Sequence, residues 1–417
     1  MIGRLPLALL SLFIAGSAMA TSFDCQFERL ASGPRKLGAW IDKNNWLAVE
    51  NQRLTLQTPD LFMPAWRLVP PRKGPVEAVR ARPIDDLPTV DPFDGSRREL
   101  GFLLDSRVYA DGLVVLRNGR VVTERYRNGL APDKPRLLLG ATRPLLNLLG
   151  AMSLSQGKLV GDKSVIRYLP GLAQATGLRK VSIQRLLESD ERFVWEVSDL
   201  EAWRRSGGWR MDSAESGVRT WLAQPGRWDQ PLKLPEAPRF SASPDDDLLA
   251  WTLAESNGMP LAQLFCEQLF RRSNPEHAML WVSDVSGNEL ADGLGLSLRD
   301  FAKLGHLLVE ARSSRSRAKI PNWFIETLVA ASGGRSASIK GLAKGSEQRY
   351  GFVHLGGAPN RVALVAEHGT SLYLDFDKRL VIALYATRPG ASTPESRALL
   401  EQIWQAVDKA LNAPGSG

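Results

Sequence analysis

The sequence predicts an α+β protein, one antiparallel β-sheet flanked by helices with a mostly helical subdomain set into it. Three observations carry this. A β-hairpin pattern lies at residues 112–126, the middle of the chain is dominated by helical spacing, and three strand-like runs followed by a helix close it. Strands at both ends with helices between them place the two groups of strands in a single sheet and the helices against it.

Residues 1–20 stand apart. A basic start at Arg4 precedes an apolar run over residues 5–14, and Ser17, Ala18, Met19 and Ala20 put small residues where a signal peptidase reads. This is the pattern of a secretory signal peptide, to be left out of the fold. The run is too short to span a bilayer. The mature chain is therefore expected to be exported, to the periplasm or beyond, with no integral membrane segment. Loss of Arg4 takes the formal net charge from +8 to +7. Residues 21–100 read as an irregular leader. Pro64, Pro70, Pro71, Pro75, Pro83, Pro88 and Pro92 interrupt any long element, while Trp40, Trp46 and Trp66 suit packing onto the body. The main domain is expected over 101–411, with its helical subdomain at about 160–330.

The hairpin rests on a β-branched run ending in Asn118-Gly119, a strong two-residue turn signal, followed by an alternating segment to Tyr126. Residues 145–156 have leucine density at helical spacing, and Gly157 sits where a C-cap belongs. Further helices are expected at 181–188, 246–257 and 297–309. The run Asp245, Asp246 and Asp247 suits a helix N-terminus better than a metal site. Residues 362–366, 371–376 and 380–386 read as strands, and 393–411 as the closing helix.

Hydrophobic residues make up 44% of the 417 and charged residues 24%, ordinary for a globular protein. The pI of about 9.6 fits attraction to anionic polymers. No Lys/Arg run exceeds two residues, however, so the charge reads as a solvated surface, and export argues against nucleic acid. The four histidines are scattered and no Cys/His cluster has metal-ligand spacing, so neither metal nor cofactor is expected. An oxidising compartment permits a bridge between Cys25 and Cys266. Whether their Cα atoms approach closely enough is not legible in sequence.

Several strings recur in a fixed order: the hairpin with Glu124-Arg125-Tyr126, then Gly157-Lys158-Leu159 followed by Leu169-Pro170. After these come the apolar helix from Val181, Leu248-Leu249 with Trp251 and Asn257-Gly258, Leu298-Arg299-Asp300, and the strands around Tyr373 and Leu380. In this order they resemble the serine β-lactamase and penicillin-binding-protein superfamily. The nearest branch is that of the class C-like esterases and 6-aminohexanoate-oligomer hydrolases. The resemblance covers about residues 100–405 and implies a β-lactamase/transpeptidase-like fold.

That family attacks an amide or ester carbonyl with a serine at a helix start, helped by a lysine one turn on. Counting fourteen residues back from Gly157 puts Arg143 at the lysine position and Gly140 at the serine. Gly140 has no side chain to acylate, and an arginine cannot act as a base. A helix beginning at Pro144 would also turn Arg143 off the catalytic face. Gly140 keeps a backbone N–H that could serve half an oxyanion hole. The family's tyrosine motif falls at Ser241, with Ser243 at its third position. The motif expected on an edge strand falls at His368, Gly369 and Thr370. Ser155 with Lys158 and Ser316 with Lys319 also fit Ser-x-x-Lys, as chance matches. Trp195, Trp203, Trp209, Trp221 and Trp228 pack a core or lid, or line a groove for a sugar or peptide.

The expected function is a non-catalytic, exported relative of these hydrolases. It would bind a cell-wall peptide, a small amide or ester ligand, or a periplasmic protein partner in the former cleft, through Gly140, Arg143, Ser241, Ser243, His368, Gly369 and Thr370. The alternatives are an active serine hydrolase whose nucleophile has moved to Ser241 or Ser243, and a structural scaffold in an envelope complex.

Overall fold

A computed structural model describes residues 23–71, 83–188, 192–210, 216–233, 239–313, 318–330, 338–357 and 359–411. The expected signal peptide and Ser316 lie outside them. No helix among the described residues is long and apolar enough to cross a membrane.

Seven antiparallel strands form the main sheet. In spatial order they are Glu347–Arg349, Phe352–His354, Arg361–Val365, Ser371–Asp375, Leu380–Ala386, Ala110–Arg117 and Arg120–Tyr126. The late strands thus pair with the early hairpin, Leu380 opposite Arg117 and Leu384 opposite Leu113. Asn118 and Gly119 turn the hairpin at φ 52° and 78°, the left-handed pair that matches strand twist.

Residues 113–116 and 380–386 are continuous apolar runs because both faces of the sheet are covered there. Leu113, Val115, Ile382 and Leu384 pack with Leu399, Ile403 and Trp404 of the closing helix Pro394–Leu411. Val114, Leu116, Val381 and Ala383 pack with Phe301, Leu304 and Leu308 of the helix Leu298–Glu310. Gly305 lets that helix lie close to the sheet. A Cβ there would meet the Val381 side chain at 2.8 Å.

A second antiparallel sheet has the strand order Glu28–Leu30, Ala65–Leu68, Met279–Ser283, Glu289–Leu296 and Arg136–Leu137. The prolines of residues 21–100 suggested irregular chain, yet two strands of this sheet and the helix Val49–Thr55 come from that segment. Its strands are too short to show a two-residue period. Their order comes from pairing with Met279–Ser283, where Leu280 faces Arg67 and Trp281 faces Trp66.

Two helix starts differ from expectation for one reason. The helices expected at 145–156 and 246–257 run from Thr142 to Ser155 and from Pro244 to Asn257. Pro144 and Pro244 both sit in a first turn, where a backbone N–H has no intrahelical acceptor and a proline costs little.

Cys25 and Cys266 form a disulfide with Cα atoms 6.0 Å apart, across 241 residues of sequence. It ties the N-terminal segment to the helix Leu261–Gln268. Closing so long a loop restricts the unfolded chain strongly. Replacing both cysteines with alanine should therefore lower unfolding free energy by about 2–5 kcal/mol. Urea denaturation of the two forms measures this.

Candidate functional site

The helix Thr142–Ser155 is entered through a tight turn, Leu139–Ala141, in which Leu139 is held at φ 49°. A left-handed leucine is strained. The turn delivers Gly140 against the segment leading into the helix Pro244–Asn257. A Cβ built on Gly140 would lie 2.4 Å from the carbonyl oxygen of Phe240. The space that a nucleophile's side chain needs is occupied by backbone.

Arg143 is the second residue of its helix and is buried. Its guanidinium forms an ion pair with Asp246, donates from Nε to Asn147 Oδ1 at 3.1 Å, and from Nη2 to the Leu186 carbonyl at 2.9 Å. Arg239 reaches the same carboxylate at 2.7 Å. Burial, then the neighbouring Arg239, push the Arg143 pKa well down, and Asp245 opposes them. The other oxygen of Asp246 accepts the Ser243 N–H at 2.9 Å, which fixes Ser243 as the N-cap. The Ser243 hydroxyl donates to Asp245 Oδ2 at 2.9 Å. The three aspartates are thus helix-start residues, two of them satisfied by arginines.

A cleft of about 360 Å³ opens beside Gly140. Of the expected site residues, Gly140 and His368 line it. Thr370 joins those two in a narrow recess behind it, also lined by Arg136 and Gln52. Arg143, Ser241, Ser243 and Gly369 line neither. From the 241–243 segment only Ala242 reaches the cleft. Ser155 lies at the far helix end and accepts from the Trp323 indole at 3.0 Å. His368, Gly369 and Thr370 were expected on an edge strand. Instead they form the turn between Arg361–Val365 and Ser371–Asp375, and the hairpin Glu347–His354 extends the sheet beyond them.

His368 is held at φ 62°. Its Nδ1 lies 2.9 Å from the Arg388 carbonyl and its Nε2 lies 3.4 Å from Gln52 Nε2. The carbonyl accepts from Nδ1–H, and in the neutral ring Nε2 is then the acceptor facing the Gln52 amide. Behind the turn, the buried Arg136 donates to Thr370 Oγ1 at 3.4 Å and the Ala386 carbonyl at 3.0 Å, and lies 3.6 Å from Asp111.

The N-terminal segment closes one side of the cleft with Asn44, Asn45, Leu47 and Gln52. Trp203 and Trp209 form another wall, while Trp195, Trp221 and Trp228 pack together elsewhere, 5.3–5.8 Å between ring centroids.

Sequence reasoning missed Asp292. It lines the cleft and is half-buried, where every other residue of the strand Glu289–Leu296 is fully buried. Burial, and then the charge of Asp247, push its carboxyl up to about 7. Asp247 is itself raised to about 6 by burial, although it accepts from Ala291 N–H at 2.8 Å and from the Trp203 indole at 2.7 Å. The available signal was an aspartate flanked by Ala291, Gly293 and Leu294 in an otherwise apolar run.

No protein-family model matches the chain. A 6-aminohexanoate-dimer hydrolase of Paenarthrobacter ureafaciens is 24% identical over 319 residues, 73% of this chain and 79% of that protein. A Bacillus anthracis protein described as a 6-aminohexanoate-dimer hydrolase superposes with a TM-score of 0.70 at 19% identity, covering 88% of this chain and 96% of that one. An octameric penicillin-binding-protein homologue from Pyrococcus abyssi gives 0.54 at 15% identity, over 74% of this chain and 77% of that one. The chain has the β-lactamase/penicillin-binding-protein fold.

Two outcomes follow from the site's packing. Gly140→Ser should destabilise the protein by about 1–3 kcal/mol, because its Cβ overpacks a backbone carbonyl; thermal denaturation reads this. Asp292 has a folded-state pKa above its unfolded value of 3.8. The folded protein therefore holds this proton between about pH 4 and pH 7, and stability falls as pH rises through that window. Asp292→Asn should remove that contribution, adding on the order of 1–3 kcal/mol at pH 8 and little at pH 4. Urea titrations at both pH values check it.

Proposed function

We propose that the chain is an exported, non-catalytic protein of the β-lactamase/penicillin-binding-protein fold, which binds a cell-wall-type peptide or another small amide or ester ligand in the cleft beside Gly140. The observation that carries this reading is the carbonyl of Phe240, which stands where a side chain on Gly140 would have to go. Acyl transfer through a serine needs a hydroxyl within reach of a base and facing the substrate. Among the described residues that line the cleft there is no serine, threonine, cysteine, lysine or tyrosine. Arg143 is held in three interactions beneath the helix start, and its planar fork suits that structural task.

Against a nucleophile displaced to Ser241 or Ser243 stand the capping role of Ser243 and the absence of both from the cleft. Binding remains well served. A concave space with tryptophan and leucine walls and a few polar groups is the common form of a small-molecule site. The pattern of residues 1–20 and the Cys25–Cys266 bridge support an oxidising, extracytoplasmic location.

Intact-protein mass spectrometry after exposure to a fluorophosphonate or a penicillin should show no adduct, for the native chain and for Gly140→Ser alike. A stoichiometric mass shift on the native chain overturns the reading. Calorimetric titration with soluble cell-wall fragments should show saturable binding, and pull-down from periplasm without such binding would favour the scaffold alternative.

A further inference from the structure

The lobe that follows the helix Thr142–Ser155 carries positive charge that its own carboxylates do not balance. Lys158, Lys163, Arg167, Arg179, Lys180 and Arg185 are all exposed, and the acidic residues among them are Asp162 and Glu188. Asp162 pairs with Lys163 at 3.1 Å, and Glu188 accepts from the Tyr350 hydroxyl at 3.1 Å. Lys158, Arg167, Arg179 and Lys180 form no ion pair with a described residue. Exposed arginines on other faces are matched by carboxylates. Arg379 reaches Glu310 at 3.0 Å and Arg127 reaches Asp85 at 3.6 Å.

Backbone bonds gather these residues into one compact lobe. Val165 and Ile183 donate to the carbonyls of Val181 and Lys163 at 3.1 and 2.9 Å, and Gln184 donates to Gly161 at 2.9 Å. Arg185 Nη1 reaches the Lys180 carbonyl at 3.3 Å. The same region exposes apolar side chains, Val160 at 41% and Trp323 at 39%. The Trp323 indole donates to Ser155 Oγ at 3.0 Å, at the helix end that leads into the lobe. Its ring lies 6.1 Å from that of Tyr350, whose hydroxyl accepts from Gln184 at 2.6 Å. Trp323 therefore borders the cationic lobe, joined to it from both Ser155 and Gln184.

We propose that this face docks the protein peripherally on an anionic lipid bilayer, with the lobe's lysines and arginines against headgroup phosphates and Trp323 and Val160 at the acyl boundary. Each basic side chain near an anionic membrane surface adds to the attraction. An indole has an apolar body and a polar N–H, the form that suits a bilayer interface. A wholly polar anionic polymer would account for the cations and leave Trp323 and Val160 in water. The exposed apolar pair is what selects a lipid surface. The helix Thr142–Ser155 sets the orientation. Gly140 precedes its start and the cationic lobe follows its end, about 20 Å away at the helical rise per residue. A protein docked by the lobe keeps the cleft beside Gly140 clear of the membrane, so the proposal is independent of what the cleft binds.

The test is co-sedimentation of the intact, disulfide-bonded protein with phosphatidylcholine vesicles containing about 30% phosphatidylglycerol. At low salt, binding should be at least about tenfold tighter than to phosphatidylcholine alone, and it should be lost at about 0.5 M NaCl. Lys158→Glu and Lys180→Glu should each weaken it by about fivefold or more. Arg97→Glu makes the same change of charge on the hairpin beside the closing helix. It should leave binding within about twofold of the native value. Trp323→Ala should weaken vesicle binding severalfold and leave binding of inorganic polyphosphate unchanged. Equal binding to the two kinds of vesicle, or an equal loss with Arg97→Glu, overturns the proposal. Binding to polyphosphate without binding to vesicles also overturns it, and assigns the face to a polyanionic polymer. The two lysine variants alter exposed side chains alone, so they stand as the test even where Trp323→Ala, which also packs on Phe324 and Tyr350, misfolds.

Discussion

The carboxylate of Asp246 is the tie on which the site depends. It takes Arg143 from one helix start, Arg239 from the approach to another, and the backbone N–H of Ser243 as cap. Buried charges cost several kcal/mol each to desolvate, so such a cluster holds only when every partner is in place. It therefore fixes the starts of Thr142–Ser155 and Pro244–Asn257 against each other. Phe240 follows Arg239 directly and is carried over Gly140 by the same constraint. The arginine at 143 and the glycine at 140 are two sides of one packing solution. A lysine ammonium could not present a planar fork to Asp246, Asn147 and the Leu186 carbonyl together. A side chain at 140 could not share space with the Phe240 carbonyl.

The rest of the cleft is assembled from chain far away in sequence. Trp46 of the N-terminal segment stacks between Phe62 and Trp209, at 4.8 and 5.7 Å. Gln52 reaches His368, and Arg53 bonds Asp111 at 2.9 Å, next to the arginine that holds Thr370. The disulfide anchors the start of this segment to the helical region. The wall is therefore tied to the body at several points, although few of its residues lie in long regular elements.

The main sheet was legible in the sequence because its signals are local. Asn118-Gly119 sets the hairpin, and the apolar runs at 113–116 and 380–386 mark strands covered on both faces. The positions of Gly140 and Arg143 were legible through ordered strings and a fixed count to Gly157. The reason for them was not, since it lies in Asp246 and Phe240, about a hundred residues away. Arg143 shows the limit clearly. Pro144 argued for a later helix start, and the ion pair to Asp246 outweighs that local preference. Asp292 was hidden for a different reason. A single polar residue in a short apolar strand reads as solvent-facing alternation, and only the fold shows that its open side is a tryptophan-walled cleft. The two strands that residues 21–71 contribute to the second sheet were hidden because pairing, not pattern, makes them strands.

The distribution of cost around the cleft bears on whether it is a relic. Leu139 and His368, both non-glycine residues bordering it, are held at positive φ, and each such residue costs on the order of 1–3 kcal/mol. Asp292 and Asp247 hold raised carboxyls side by side, a further cost that an asparagine at 292 would relieve. Where the nucleophile would stand the opposite holds. Gly140 is packed against backbone and Arg143 is fully engaged, so that corner carries little strain of its own beyond Leu139. A fold that had merely lost its chemistry would be free to relax everywhere. Here the corner that would perform acyl transfer has been filled and satisfied, while the adjoining wall stays open, strained and charged. Strain and raised carboxyls concentrate where a structure meets a ligand, which supports the proposed reading of the cleft as a ligand site on the side of Asp292 and the tryptophans, away from Arg143.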